Sequence, residues 1–334
     1  MKFGLFGGAV ARRGEETADS RGYGDFIDTV IEAEQLGFDS IFIVEHHFSG
    51  GGQLSSSLNL LSYLAAKTSR IRLGTAVTVL PWHNPVLIAE QAATVDLLSG
   101  GRLDFGVGKG YRYIEFDGFC IPKEEALARY EESVEVIIKS WTSDERFDYS
   151  GEFWSFCDII VEPPTIQKPH PPLWTAAGTD DSIARVAETG MSVMLDHFAS
   201  FARTEERLNA WRMGCEKIGR VFNPMEVALA RGVTITLNND DLEKAAAIRE
   251  ERISRMFDKF GALPGLEKKS DQPESYADPD LAIDDAALLG TPDMIIERIQ
   301  VLKDMGFEHI LFLMPDSIET LRIISKEIMP AFKS

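Results

Sequence analysis

The chain contains 334 residues, 44% of them hydrophobic, which is enough to bury a sizeable core. Its 34 basic residues are outnumbered by 53 acidic residues, and the net charge is -19 at pH 7. This balance argues against a basic surface for nucleic acid or for an anionic membrane, and the acidity by itself indicates solubility.

Cysteine usage and the N-terminus predict the compartment. Cys120, Cys157 and Cys215 lie far apart and form no C-x-x-C pair, so the sequence predicts neither a zinc knuckle nor a dithiol redox motif. A sparse, odd cysteine count is typical of a reducing compartment. No long apolar run or cleavage site follows Met1, and we expect a cytoplasmic protein without a signal peptide or a membrane span.

Short apolar runs, amphipathic stretches and glycines alternate along the chain. The apolar runs are rich in Ile, Val, Leu and Phe, as is typical of strands that are buried on both faces. Helical patterns lie between most of them, including Asp25–Leu36, ended by Gly37, and Pro292–Met305, ended by Gly306. The predicted strands are Phe3–Phe6, Ser40–Val44, Ile71–Leu80, Leu103–Val107, Leu173–Ala176, Met191–Leu195, Val227–Thr236 and Ile310–Met314.

Eight buried strands separated by helices predict an α/β fold, a closed parallel (β/α)8 TIM barrel that spans residues 1–334 as one domain. In Leu36–Phe42 a glycine leads from a helix into a buried strand, and Met305–Leu311 repeats this phrase, as successive βα units do. An open doubly wound sheet is the alternative, although its G-x-G-x-x-G sequence is missing from the first strand–turn–helix.

Two stretches interrupt this alternation. Phe147–Phe156, with Gly151 at its turn, predicts a small inserted hairpin. Gly261–Asp285 is rich in Pro, Lys, Asp and Glu and has no periodicity. So long an irregular segment in a compact barrel is usually a lid or a disordered insertion, and the residues alone leave both interpretations open.

A barrel of this class places its active site where the strands end, and Glu45, His46 and His47 follow the second strand. We expect no metal ion there, because neighbouring strand residues point to opposite faces and no H-x-x-x-H pair completes a ligand set. One histidine is expected to be packed. The other is expected to face the pocket, where the ordinary titration range of histidine suits proton transfer.

The end of the fifth strand is a candidate phosphate site. The backbone N–H groups of the Gly178-Thr179 turn and the hydroxyls of Thr179 and Ser182 suit a phosphate monoester at a helix N-terminus. The pair Asp180-Asp181 favours an ordinary capped helix instead, because acidic residues are common in any first turn. Lys109, after the neighbouring strand, is a candidate for the missing positive charge.

Several motifs in order resemble the bacterial luciferase-like flavin-dependent monooxygenases, in particular the luciferase alpha subunit and its non-luminous relatives. The resemblance covers almost the whole chain and implies the same barrel. The motifs are Met1–Gly4, Gly37–Asp39, Glu45–Phe48, Gly74–Pro81, His83–Pro85, Ala89–Gln91, Asp96–Arg102, Phe105–Gly108, Gly290–Pro292 and Ile328–Pro330.

The resemblance implies a two-component monooxygenase. Reduced FMN would come from a separate NAD(P)H:flavin reductase and react with O2 through a C4a-(hydro)peroxyflavin to oxygenate a small organic substrate. His46 would be the catalytic base, and Gly261–Asp285 would be a mobile lid that excludes water. Helices around Leu58–Ala66 and Ile88–Leu98 would form a homodimer interface.

The resemblance also implies the cofactor site. Lys109 falls where the luciferases have a phosphate-binding arginine, and Gly178 replaces a glutamate. Ala76-Val77 falls where the family has a non-prolyl cis peptide beneath the flavin ring. The expected cofactor-binding residues are Ala76, Val77, Lys109, Ala177, Gly178, Thr179, Ser182 and His197.

Two departures predict an enzyme that emits no light: Gly108 replaces a reactive cysteine, and His197 stands near a tryptophan of the luminous members. An F420-dependent hydride-transfer oxidoreductase on the same barrel is the main alternative. A non-catalytic flavin-binding subunit is an alternative of another class, which the presence of His46 argues against. A metal-dependent hydrolase lacks a convincing ligand set. The motifs suit several substrate classes equally.

Overall fold

A computed structural model describes residues 1–11, 21–236, 241–248, 286–315 and 317–333. The segment 261–285, interpreted above as a lid, lies outside the described residues. The strands are β1 (Lys2–Gly7), β2 (Ser40–Ile43), β3 (Arg72–Thr75), β4 (Thr78–Val79), β5 (Leu103–Gly108), β6 (Phe147–Ser150), β7 (Ser155–Ile159), β8 (Leu173–Ala176), β9 (Ser192–Leu195), β10 (Val227–Arg231), β11 (Val233–Ile235), β12 (Leu288–Gly290) and β13 (His309–Leu313).

Ten α-helices in the described part of the chain lie between or after these strands. They are α1 (Arg21–Gln35), α2 (Ser57–Lys67), α3 (Pro85–Ser99), α4 (Tyr113–Phe119), α5 (Ala126–Thr142), α6 (Asp180–Thr189), α7 (Phe201–Lys217), α8 (241–248), α9 (Pro292–Met305) and α10 (Ile318–Ile323). Among the described helices, none is both long and apolar enough to cross a membrane.

The main sheet has the strand order β3-β2-β1-β13-β10-β9-β8-β5-β4, and a further pairing between β3 and β5 closes it. Because β4 continues β3 after a two-residue interruption, the sheet has eight strand positions. The fold is therefore the predicted closed (β/α)8 barrel, and the open doubly wound sheet is excluded.

Two predicted strands are wrong as single elements. The run Ile71–Leu80 is divided into β3 and β4 by a cis peptide bond between Ala76 and Val77. The run Val227–Thr236 is divided at Gly232. There β10, buried throughout, is followed by the half-exposed β11, which pairs with β12 in a separate parallel sheet. An unbroken apolar run in the sequence does not show where the chain changes its partner strand.

The chain consists of two compact units. The first unit comprises Met1–Gly7, Glu32–Ile41 and Thr175–Ser334, and the second comprises Gly8–Ile31 and Phe42–Trp174. The description of residues 1–334 as one domain stays a prediction.

In the first unit, parallel strands surround an aromatic core. Strand β1 pairs with β13 from Lys2 opposite His309 to Phe6 opposite Leu313. The Phe3 ring stacks on the Phe312 ring at a centroid distance of 5.7 Å. Helix α9 has the predicted bounds, and Gly306 ends it at a φ of +111°, a conformation that glycine adopts without a steric penalty.

Helix α1 begins at Arg21, four residues before the predicted start at Asp25. Its first turn contains Gly22 and Gly24, which are poor helix formers, and its apolar side begins only at Phe26. The sequence pattern therefore placed the start too late.

The inserted hairpin of the second unit is confirmed. Strands β6 and β7 pair antiparallel, and Gly151 N–H donates to the Trp154 carbonyl at the turn. The hairpin extends to Ile159, beyond the predicted end at Phe156. The Glu132 carboxylate on α5 accepts hydrogen bonds from backbone N–H groups of the turn, including that of Trp154 at 2.8 Å.

The Arg102 guanidinium joins the ends of α2 and α3 in the second unit. It donates to the carbonyl of Ala65 in the last turn of α2 and to that of Thr68 just after the helix, at 3.0 Å each. It also donates to the Ser99 carbonyl at 2.7 Å and the Ile71 carbonyl at 2.8 Å. One side chain thereby satisfies carbonyls that the helix ends leave without partners.

We expect Arg102→Lys to lower the free energy of unfolding by about 3 kcal/mol, because a single ammonium cannot replace this planar set of donors. Urea unfolding of the variant measures the loss. The control is Arg146→Lys on the exposed hairpin, which should stay within about 0.5 kcal/mol of the parent. Equal values for the two variants would contradict the assigned role of Arg102.

Candidate active site

The second unit brings His46 against a buried carboxylate from another element. The chain leaves β2 at Ile43, and His46 N–H donates to the Leu54 carbonyl at 2.9 Å, which fixes the backbone there. The His46 Nδ1 atom lies 3.1 Å from Glu115 Oε1. Glu115 is in the first turn of α4, and its side chain is 2% exposed, against 15% for His46.

The same Glu115 oxygen has two further neighbours. It accepts the backbone N–H of His47 at 2.9 Å, and the Arg112 guanidinium lies 3.9 Å away. Burial lowers the pKa of His46 from its ordinary value, and Arg112 lowers it further, while the hydrogen bond to Glu115 opposes this change. Burial has the larger effect, so the His46 imidazole is neutral at neutral pH.

A second buried carboxylate, that of Glu45, lies within hydrogen-bond distance of several donors. Its Oε1 atom lies 2.9 Å from His83 Nε2 and 3.3 Å from both His47 Nε2 and Trp82 Nε1. The backbone N–H of Val79 also points to this oxygen, at 3.4 Å. Burial alone would raise the pKa of Glu45, but hydrogen bonding and electrostatic attraction to His47 and His83 lower it to about 2.

The ring of His47 is packed among aromatic side chains. Its centroid lies 4.9 Å from Phe119, 5.7 Å from Trp82 and 5.7 Å from Phe48. His47 is thus the packed histidine of the pair. His46 is the one whose Nδ1 meets a carboxylate, a contact that fixes the orientation of its ring.

Glu45, His47 and His83 also meet the minimum description of a metal site, since their ligand atoms lie within 4.8 Å of one another. The two nitrogen–oxygen separations are hydrogen-bond lengths, and Glu45 Oε1 additionally accepts from Trp82. We therefore interpret the group as a hydrogen-bonded network. The expectation of no metal ion stays a prediction.

The predicted cis peptide between Ala76 and Val77 is confirmed. The Val77 side chain fills the space next to Gly108, where a Cβ atom would overlap Val77 Cγ2. Gly108 is thus required by its neighbour, and a cysteine at this position would need Val77 to move. The Lys109 side chain is exposed and makes no ion pair with the residues that the structure describes. Flavin contacts of these residues stay predictions.

The other predicted cofactor-binding residues lie in the first unit. Thr179 is the N-cap of α6, and with Ser182 it forms a capping box: Thr179 Oγ1 accepts Ser182 N–H, and Ser182 Oγ accepts Thr179 N–H. Gly178 precedes this cap, and Ala177 N–H donates to the Met194 carbonyl at 3.4 Å. The ordinary capped helix that the sequence allowed is therefore present.

Two features leave this N-terminus open to an anion. The Thr179 side chain is exposed, and Ser182 is half-buried. Arg203 on α7 lies 3.0 Å from the Asp180 carboxylate and offsets part of its negative charge. The capping hydroxyls would turn outward to meet a phosphate. These residues therefore fit a phosphate group in chemistry, and their role stays a prediction.

His197 lies in a turn after β9. Its ring contacts the Phe198 ring at 3.8 Å between centroids and faces Phe6 at 6.4 Å. The turn is fixed by Asp196, which accepts Phe198 N–H at 2.9 Å and pairs with the buried Arg207 at 2.9 Å. The cofactor contact of His197 stays a prediction.

Sequence reasoning missed Glu115, the partner of His46, and the contact of His83 with Glu45. Glu115 lies 69 residues after His46 and has the pattern of an ordinary first-turn acid. His83 was noted only within a motif, although it follows a strand as His46 does. Its position at a strand end is the one signal that pointed to it.

A family model described as luciferase-like monooxygenase matches residues 1–309. The chain belongs to the luciferase-like monooxygenase family. The resemblance inferred from the motifs is confirmed.

Members with different cofactors are similar over the whole chain. The oxygenase component of the flavin-dependent trigonelline monooxygenase from Acinetobacter baylyi is 26% identical over 99% of this chain and 96% of its own. An F420-dependent glucose-6-phosphate dehydrogenase from Nakamurella multipartita is 29% identical over 95% of both chains. The crystal structure of monooxygenase RslO1 from Streptomyces bottropensis superimposes with a TM-score of 0.83 at 26% identity, covering 100% of both chains. These relatives are oxidoreductases, which supports an enzymatic role.

The ionised Glu45 carboxylate should stabilise the fold in a pH-dependent way. Its pKa in the folded state is about 2, which lies below the ordinary value of 4.5 that applies in the unfolded chain. The stabilisation is therefore complete above pH 4.5 and is lost as the pH falls through about 2. We expect Glu45→Gln to cost about 3 kcal/mol of unfolding free energy at pH 7, and less at pH 3.

Urea unfolding at both pH values measures this difference. The matched control is Glu124→Gln, an exposed position at which no loss is expected. An equal loss for Glu45→Gln at pH 7 and pH 3 would show that packing, and not the carboxylate charge, stabilises the network.

Proposed function

We propose that this chain is the oxygenase component of a flavin-dependent monooxygenase that uses reduced FMN and O2. The observation that carries the proposal is similarity along the whole chain to two monooxygenases, one of them a flavin-dependent oxygenase component. A separate reductase would supply the reduced flavin, and the substrate would be a small organic molecule.

The helix N-terminus at Thr179 supports FMN over F420. FMN ends in a phosphate monoester, which suits the two hydroxyls of the capping box and the N-terminus of the helix that they cap. F420 has a phosphodiester in place of this monoester, which presents fewer charged oxygens to such donors. We propose that Thr179, Ser182 and the Gly178 turn bind the FMN phosphate, and that Lys109 adds positive charge. Ala76, Val77, Ala177 and His197 are proposed flavin contacts.

Reduced FMN, when bound, supplies the electrons that activate O2, and the protein contributes binding, orientation and proton transfer. We propose that His46 moves a proton at the reacting centre. A neutral imidazole accepts a proton directly, whereas an imidazolium must first lose one. The depressed pKa of His46 thus suits a base at neutral pH.

We also propose a homodimer. Large apolar side chains on α2 and α3 are exposed, including Tyr63 at 49%, Leu87 at 54% and Leu98 at 60%. Exposed apolar side chains on neighbouring helices are typical of a protein–protein interface. The helices α2 and α3 are also the two helices on which the sequence predicted the homodimer interface.

F420-dependent hydride transfer is the second candidate, favoured by the 29% identity to an F420-dependent dehydrogenase. The two candidates differ in their response to oxygen. We expect the protein to bind reduced FMN anaerobically and, after mixing with O2 in a stopped-flow instrument, to change the rate at which the oxidised-flavin spectrum returns. Reoxidation at the protein-free rate, together with tight binding of reduced F420, would transfer the assignment to hydride transfer.

Replacing His46 tests its proposed role. We expect His46→Ala to lower the rate of substrate oxygenation about 100-fold or more and to leave the affinity for reduced FMN unchanged. Oxygen consumption with a substrate found by screening measures the rate, and anaerobic fluorescence titration measures the affinity. The control for the loss of a histidine as such is His170→Ala, at a histidine whose ring lies 6.0 Å from that of Trp141. A parallel fall in affinity and rate would make His46 a structural residue.

A further inference from the structure

Two adjacent histidines are held by two different buried carboxylates. His46 Nδ1 lies 3.1 Å from Glu115 Oε1, whereas His47 Nε2 lies 3.3 Å from Glu45 Oε1. The two rings are therefore bonded through different nitrogen atoms. In a neutral imidazole one nitrogen carries the proton and the other has a free lone pair, so the choice of bonded nitrogen determines which atom is basic.

The surroundings of Glu115 identify the donor in its bond to His46. Glu115 Oε1 already accepts the backbone N–H of His47 at 2.9 Å and faces Arg112 NH1 at 3.9 Å. An oxygen with these neighbours is an acceptor, and the proton in the bond therefore lies on His46 Nδ1. His46 Nε2 makes no hydrogen bond to another residue in the described ranges, and it has the free lone pair.

We propose that Glu115 is a positioning residue, which holds His46 as the Nδ1–H tautomer so that Nε2 is the atom that accepts the proton. This inference rests on the proposed function for its catalytic consequence. The tautomer itself is a property of the protein without any ligand.

Glu115 is in turn held in place by charge and by a short loop segment. Arg112, buried just before α4, donates to Gln53 Oε1 at 3.1 Å, and the next residue, Leu54, accepts the backbone N–H of His46. The two loop residues thus position both members of the pair. The Tyr111 ring meets the His46 ring edge-on at 6.4 Å, which limits rotation of the imidazole.

Two substitutions at position 115 would separate the positioning role from a structural one. Glu115 meets His46 Nδ1 and the N–H of His47 with the same oxygen, Oε1, and a glutamine amide oxygen in that place would accept from both. Glu115→Gln should therefore keep the Nδ1–H tautomer. Glu115→Leu has no acceptor, so a proton on Nδ1 would be left without a partner and should move to Nε2.

The test is long-range ¹H–¹⁵N NMR of protein labelled at histidine, with His46→Gln used to assign the signals. At a pH where the ring is neutral, we expect the Nδ1–H pattern for His46 in the parent protein and the Nε2–H pattern in Glu115→Leu. Glu115→Asp retains a carboxylate and should keep the parental tautomer.

Oxygenation rates provide the second readout. We expect Glu115→Leu to lower the rate about 100-fold or more, with reduced FMN affinity within about threefold of the parent, because the base has the wrong tautomer. Glu115→Asp should recover part of the rate. The matched control is Glu132→Leu, which also removes a carboxylate that binds backbone N–H groups but contacts no histidine in the described residues, and its rate should not change.

The outcomes are distinguishable. An Nε2–H pattern in the parent protein overturns the inference, whatever the activity. A reversed tautomer with an undiminished rate overturns the positioning role. An Nδ1–H parent in which His46→Ala leaves the rate unchanged contradicts the proposed function and leaves the tautomer assignment intact. If Glu115→Leu does not fold, the parent spectrum and Glu115→Asp still decide the assignment.

Discussion

The hydrogen bond between His46 Nδ1 and Glu115 Oε1 is the interaction on which the candidate site depends. It joins the end of one barrel strand to the first turn of a helix 69 residues later in the chain. Burial keeps the imidazole neutral, and the carboxylate orients it. A buried imidazole without this acceptor would leave Nδ1–H without a partner, at a cost of about 1–3 kcal/mol.

The second buried carboxylate explains why two neighbouring histidines differ in role. One oxygen of Glu45 contacts the side chains of His47, Trp82 and His83, and the backbone N–H of Val79 points to the same atom. With a pKa of about 2, this carboxylate is ionised throughout the physiological range. That network stabilises the loops after two strands. It also keeps His47 within the aromatic cluster, so that His46 alone of the pair is left for proton transfer.

The barrel was predictable because buried parallel strands are continuous apolar runs and glycines end the helices between them. The divisions at Ala76-Val77 and Gly232 were not visible in these runs, although the family resemblance placed the cis peptide. The resemblance also predicted His46 as the base, and the structure places a buried carboxylate next to its ring. Glu115 was missed because its function comes from a tertiary contact, while its local pattern is that of any first-turn acid. Gly108 was noted as a departure, and its contact with Val77 supplies the physical reason for it.

The most direct test of this account is the pKa of His46, measured by an NMR titration of the histidine ring signals in the protein without ligand. The account predicts a value below the ordinary 6.5, because burial outweighs the attraction of Glu115. A value above 6.5 would contradict this account, and a value above 7 would mean that His46 is mostly protonated at neutral pH and forms an ion pair with Glu115. His46 would then have no free lone pair and could not act as the base.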